Sequence, residues 1–290
     1  MVAEKVSDIL LNLGLRAGDT VLVHSGVSAL STLGEGQKDQ FAALLHKGLT
    51  SVVTDAGTIA APAFFYDYSR SNTPFELTQS QPDKALGRYP RFLFSQPNAK
   101  RSLNPLTGLI AVGKQADFIC EHRSSYGYGP TSPWARLTDL DAYCLILGAS
   151  FEATTFNHHV EATVGVPHLY NKIYRTPAFV HGKPYACPIV TAVRYLNYGV
   201  ETSMSRLEAK LDDMNLIRRY RRGALDVLLF KLRDCENVLT DCLSRDPYFL
   251  LKEPPRFVAG VPPDDGATGS PPNIFTGMNA ATLEFIARQI

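Results

Sequence analysis

Four short apolar runs, at residues 20–23, 57–63, 109–112 and 143–147, have the length and character of buried strands. Helical periods lie between and before them. Val6, Ile9, Leu10 and Leu13 recur at helical spacing, and Gly14 stops that helix. Residues 40–49 and 85–94 read as two more helices, the second despite Pro90. A chain that alternates helix and strand in this way predicts an α/β layered domain. The 290 residues, 45% of them hydrophobic, suffice for a core of that size. The expected organisation is a single domain, with residues 1–172 as the catalytic core and 173–290 as a C-terminal part.

Charge and cysteine usage narrow the function classes. The net charge is +1, so no global basic field calls for nucleic acid. No apolar run approaches the roughly 20 residues that span a bilayer. The N-terminal stretch has a helical period and an early acidic residue, which fits neither a signal nor a transit peptide. Five cysteines, odd in number and without a C-x-x-C pair, suit reduced thiols and a cytoplasmic location.

The chemistry concentrates just after the fourth run. Gly148 closes it, and His158-His159-Val160-Glu161-Ala162 follows as a first helical turn, capped by Thr155 or Asn157. Positions three apart share a helix face, so His158 and Glu161 can touch. His159 points elsewhere. Open α/β sheets bind ligands beyond the carboxyl ends of their strands, and an imidazole held by a carboxylate is a general base. The same spacing also serves as an ordinary surface pair. A metal site is a third reading, although adjacent histidines on one helix do not meet a single ion easily and no H-E-x-x-H is present. A cysteine nucleophile at Cys120 or Cys144 is a fourth, but neither has an evident histidine beside it.

Other stretches supply candidate binding groups. His24, Ser25 and Gly26 follow the first run, where small residues expose backbone N–H groups. Tyr66 and Asp67 follow the second. Residues 69–82 form a long polar loop that includes Glu76 and one basic residue, Arg70. Arg101-Ser102 suits an anion, because guanidinium pairs with phosphate in a fork. Ser132 is a candidate N-cap with Pro133 in the first helical position. Further on, residues 174–184 read as a hairpin turning at His181-Gly182-Lys183, and 187–195 as a strand. Residues 205–213 and 218–241 read as helices, with the basic run 218–222 on a solvated helix face. A proline-rich arm spans 253–272 and a closing helix 276–290.

These stretches resemble, in order, the aminoglycoside 3-N-acetyltransferase family. Gly18-Asp19-Thr20-Val21-Leu22-Val23-His24-Ser25 is similar to its opening strand motif. Gly57-Thr58 with Pro62-Ala63-Phe64 is similar to the second. Arg101-Ser102-Leu103-Asn104-Pro105 with Ala111-Val112-Gly113 is the third. The run Gly127-Tyr128-Gly129-Pro130-Thr131-Ser132-Pro133-Trp134-Ala135-Arg136-Leu137 resembles the fourth, and Leu147-Gly148 with Thr155, His158 and Glu161 the fifth. The chain departs from the pattern at Asn104, where the family usually carries His, and at Gly108, where it carries Ser.

The resemblance implies a three-layer α/β/α sandwich with a mixed central sheet, plus a smaller β/helical C-terminal part. It implies transfer of an acetyl group from acetyl-CoA to an amine, with no metal. His158 would deprotonate the amine and Glu161 orient the imidazole. His24, Ser25, Gly26, Arg101, Ser102 and Ser132 are the candidates for CoA, and Tyr66, Asp67 and Glu76 for the acceptor. The segment 65–83 carries only three acids, Asp67, Glu76 and Asp83, too few for a polycationic aminoglycoside. An amino sugar, nucleotide-linked or free, is therefore the expected acceptor. Antibiotic resistance, and a CoA- or sugar-binding relative without catalysis, are the alternatives. The expected partners are acyl-CoA and the amine, with no nucleic acid or membrane; a homodimer is the assembly left open.

Overall fold

A computed structural model describes residues 2–35, 40–121, 124–195 and 198–257. Its centre is a seven-stranded sheet. The strands are β1 (Thr20–Ser25), β2 (Thr58–Pro62), β4 (Lys100–Arg101), β5 (Leu109–Gly113), β6 (Tyr143–Leu147), β11 (Arg218–Arg222) and β12 (Leu225–Lys231). They lie in the order β11-β12-β6-β1-β2-β5-β4. The middle three run parallel: β1 pairs with β6 on one side and β2 on the other. Both flanks are antiparallel, β12 against β6 and β5 against β2. The sheet is thus mixed, as expected. It also crosses residue 172, because β11 and β12 complete it from the C-terminal part.

Side-chain alternation divides the core into two layers. Val21, Val23, Ile59, Tyr143, Leu145 and Leu147 face α1 (Val2–Asn12), α2 (Phe41–Val53) and α4 (Arg88–Phe94). Leu22, Ala60, Cys144, Ile146 and Leu228 face α5 (Ala116–Cys120), α6 (Pro133–Asp139), α7 (Asn157–Val164), α8 (Ser205–Asp213) and α9 (Leu232–Arg245). The parallel strands are covered on both faces, which is why their sequences are continuously apolar. Two small sheets lie outside. β7 (Leu169–Tyr174) pairs with β10 (Ile189–Arg194), and β3 (Phe75–Glu76) pairs with β8 (Ala178–Val180), which pairs with β9 (Lys183–Pro184). The β8–β9 turn is His181-Gly182, both at positive φ, as a tight hairpin demands.

Several expectations are corrected. Residues 218–231 form a hairpin, not a helix. Gly223 turns it at φ 55°, and Leu225–Lys231 is a buried strand whose apolar run lacks helical period. The basic run lies on the edge strand β11. There Arg219 is paired with Glu208, Asp212 and Asp226, and the charges discourage pairing with another sheet. The polar loop 69–82 contains the end of α3 (Asp67–Arg70) and β3. Pro90 fits because α4 begins only at Arg88, after a separate 3-10 turn over Lys84–Leu86. Neither Thr155 nor Asn157 caps α7. Its N-cap is Phe156, and no side chain bonds there. The closing helix and most of the proline-rich arm lie outside the described residues.

Two glycines set the crossing at the ends of β1 and β6. Gly26 donates its N–H to Leu147 O at 2.9 Å, and a Cβ there would overlap Gly148 O. Gly148 itself sits at φ 62° and would meet Ala29 and Gly26 O. Gly26→Ala is therefore expected to cost about 1–3 kcal/mol by overpacking. Thermal unfolding checks this; an unchanged melting temperature would mean the two strand ends can part freely.

Candidate active site

The chain leaves β1 toward β2 on one side and reaches β6 on the other, so the crevice lies beyond the carboxyl ends of these strands. A 3-10 turn, Phe151–Ala153, carries the chain from β6 to α7. His158 and Glu161 lie on one face of that helix. His158 Nδ1 lies 2.9 Å from Glu161 Oε2. The other carboxylate oxygen meets a group that helical spacing did not reveal: His168 Nε2, at 3.0 Å from Oε1. Asn157 Nδ2 adds a third donor to Glu161 at 3.3 Å. No local pattern announces His168. The left-handed turn at Gly165 ends α7 and brings the chain back beside it.

Glu161 is fully buried. Burial pushes its carboxyl up, but the hydrogen bonds and charges of His158 and His168 outweigh that and hold it at about 2. A carboxylate only accepts, so each ring nitrogen facing it carries the proton. His158 is thereby fixed with Nδ1–H toward Glu161 and its Nε2 lone pair free. His158 remains partly exposed, with 39% of its side chain accessible. Tyr128 packs its ring 6.0 Å from the imidazole, and burial raises the phenol so that it keeps its proton.

His158 opens onto a cavity of about 430 Å³. Phe64, Tyr66, Tyr128 and Leu106 form its apolar and aromatic lining. Thr107, Thr155, Thr191 and Thr202 add hydroxyls, and Arg70 and Arg194 add charge. The Thr107 and Thr155 hydroxyls are buried without a protein hydrogen-bond partner.

The other candidates divide. Tyr66 lines the cavity. Asp67 is exposed and does not. Glu76 is also absent from the lining; it accepts from the backbone of His181 and Gly182 and from Thr78. Of the loop 69–82 only Arg70 reaches the cavity. Arg101 is no surface anion site: its guanidinium is buried, bonded to Ser80 O and Ala63 O, and lies over the rings of Phe75 and Phe94. Ser102 Oγ accepts from Leu109 N at 2.8 Å, tying β4 to β5. Ser132 caps α6 as expected, accepting from Ala135 N and donating to Gly129 O. His24 is buried with Nε2 unpartnered, and desolvation pulls it down to about 4, so it is neutral. Ser25 Oγ is likewise unpartnered. His159 is packed inside, accepting from Gly129 N at 3.2 Å. Burial pushes the Cys120 thiol up to about 12 and holds the Cys144 thiol well above its ordinary value, so neither is a thiolate nucleophile. Among the described residues no group of three His, Cys, Asp or Glu is placed to hold a metal ion.

An imidazole held by a buried carboxylate at the strand ends of an α/β sandwich, beside a cavity, is an arrangement suited to taking a proton from a bound substrate. Comparison with known proteins specifies the class. The family model of aminoglycoside 3-N-acetyltransferases matches residues 22–244. Aminoglycoside N(3)-acetyltransferase III of Pseudomonas aeruginosa is 28% identical over 192 residues, covering 61% of this chain and 69% of that one. Aminoglycoside N(3)-acetyltransferase VII of Streptomyces paromomycinus is 32% identical over 186 residues, covering 60% and 65%. A solved structure of AAC-IIIb with CoASH shares the fold at a TM-score of 0.71 and 22% identity, covering 87% of this chain and 98% of that one. The chain belongs to the aminoglycoside 3-N-acetyltransferase family. It is an N-acetyltransferase that uses acetyl-CoA.

The buried carboxylate has a pH signature. Its folded value lies below the ordinary 4.5. Its stabilisation is therefore complete above pH about 4.5 and is lost as pH falls toward 2. Glu161→Gln should be less stable than the native chain at pH 7 by roughly 3 kcal/mol, at 1.36 kcal/mol per pKa unit. Denaturant unfolding should show that gap narrowing below pH 4.5. An equal gap at pH 7 and pH 3 would detach the carboxylate from its imidazoles.

Proposed function

We propose that, within a single acetyltransferase domain, His158 Nε2 takes the proton from an acceptor amine as it attacks the acetyl thioester; the C–N bond forms, the C–S bond breaks, and CoA leaves as its thiol with a proton returned from the imidazolium. The observation that carries this reading is the doubly bonded Glu161, which leaves one ring nitrogen of His158 free at a cavity. An ammonium has no lone pair with which to attack, so a base at the amine is required. Glu161 stays ionised throughout and holds the imidazole in the useful tautomer. His168 fixes the second carboxylate oxygen, so Glu161 keeps its orientation when His158 gains its proton.

The chain's own groups fit an acyl donor and a hydroxylated acceptor. Thr155, three residues before His158 and without a partner, is our choice of donor to the oxyanion that develops on the carbonyl. CoA itself is named in the AAC-IIIb structure. For its binding we retain His24, Ser25 and Gly26 at the end of β1, on the two unpartnered side chains there. For the acceptor we propose an amino sugar, supported by the threonine hydroxyls and Tyr66 around the cavity, which pair with sugar hydroxyls. The relatives are named for aminoglycosides; the cavity's acids are the reason to look beyond them. Among the described residues Glu161 is its only lining carboxylate, and both its oxygens are taken. A cytoplasmic setting suits the unpaired cysteines. No helix among the described residues is long and apolar enough to cross a membrane. Sedimentation would settle whether the assembly is a homodimer.

His158→Ala should lower turnover by about 100- to 10,000-fold, the usual worth of a general base. Acetyl-CoA binding, followed by calorimetry, should survive. Near-normal turnover in the variant would remove His158 from the mechanism.

Direct transfer also predicts that no acyl-enzyme forms. Intact mass measured after mixing the protein with acetyl-CoA alone should not change. Cys120→Ser and Cys144→Ser should stay active. A gain of one acetyl mass on a cysteine, discharged by amine, would favour a two-step route instead.

A further inference from the structure

The cavity beside His158 is charged in the opposite sense to a polycation site. Arg70 ends α3 and Arg194 ends β10, so two separate elements each place an arginine in its lining. Both arginines are exposed, and neither has an ion-pair partner within 4.0 Å among the described residues. Arg70 lies 4.5 Å over the ring of Tyr66, itself part of the lining. Arg194 donates to Val200 O at 3.2 Å. Its charge is felt by Glu201, which is already bonded to Lys252 at 3.0 Å. The one carboxylate of the lining is consumed by two imidazoles, and Glu76 is consumed by backbone N–H groups. What an incoming acceptor meets is two arginines without a carboxylate partner among the described residues, one over the Tyr66 ring and one with a single N–H given to Val200 O.

We propose that the acceptor amine is carried on a phosphorylated molecule, whose phosphate is held by Arg70 and Arg194 while its amine faces His158. This deepens the acetyl-transfer reading and rests on it for its activity readout. Guanidinium pairs with phosphate oxygens in a planar fork, and a phosphomonoester carries roughly −1.5 to −2 charge at neutral pH, which two arginines match. A molecule with several ammonium groups would be repelled by the same pair. The hydroxyls of Thr107 and Thr155, unpartnered in the protein, remain for the sugar and the acyl carbonyl. The other source of such a phosphate is the diphosphate of CoA, and the test separates the two.

Thiol release from acetyl-CoA would be measured with glucosamine, glucosamine 6-phosphate and a multiply charged aminoglycoside. The native chain, Arg70→Gln, Arg194→Gln and the double variant would be compared. The native chain should favour the phosphorylated amine over its unphosphorylated parent by about 10-fold or more in kcat/KM. The double variant should lose that preference through the acceptor KM, with the KM for acetyl-CoA unchanged. No preference in the native chain, or a preference for the aminoglycoside, would overturn the proposal. So would a loss confined to the KM for acetyl-CoA, which would assign the arginines to CoA. Should no amine be turned over at all, the acetyl-transfer reading fails on its own. Calorimetry with glucosamine 6-phosphate then decides the phosphate site: binding at least about 10-fold weaker in the double variant supports it, and equal binding overturns it.

Discussion

The active-site end of the molecule depends on one buried anion. Removing a carboxylate from water costs several kcal/mol unless its lone pairs are met. Glu161 is met by three donors from two places: His158 and Asn157 on its own helix, and His168 from the returning chain. Each neighbour is then constrained by the anion. His168 is fully buried, with its other nitrogen unpartnered, a poor environment without the carboxylate to bind. His158 keeps one face against Glu161 and the other at the cavity. The left-handed Gly165 that ends α7 is thus part of the site, because it permits the return of Pro167 and His168.

The sandwich is legible in the sequence where burial is two-sided. The runs at β1, β2 and β6 are apolar without interruption because helices cover both faces, and no other element of that length suits a run closed so soon. The hairpin β11–β12 is misread for a related reason. Five residues that include four arginines give no period, and the apolar run at residues 227–230 that follows is too short to separate strand from buried helix. Its register against β6, which decides the matter, is a long-range fact.

The site divides along the same line. His158 and Glu161 are legible because their contact is fixed by helix geometry alone. His168, Arg70 and Arg194 are not, since they reach the cavity from a loop, a short helix and a distant strand. Arg101-Ser102 illustrates the opposite error. Its residue types suit an anion, but the fold uses the guanidinium to hold the carbonyls of Ala63 and Ser80 and sandwiches it between aromatic rings. Residue type proposes a chemistry; exposure decides whether a ligand can use it.

The two departures from the family pattern, Asn104 and Gly108, are coupled in space. Asn104 is buried; its amide donates to Ser125 O and Val190 O, and its side-chain oxygen accepts from the N–H groups of Leu106 and Thr107. One side chain therefore ties the turn behind β5 to β10, and both strands' neighbours, Leu106, Thr107 and Thr191, line the cavity. At Gly108 a Cβ would sit 2.5 Å from Asn104 O, so the turn as folded admits no side chain there. A serine at 108 would need a different path for this turn, and with it a different wall. The inner wall is thus set by buried hydrogen bonds that tolerate little change, whereas Arg70 and Arg194 are exposed at its margin. A fold that keeps His158 and Glu161 can change its acceptor most cheaply at such a margin, where charge can be exchanged without disturbing a buried bond.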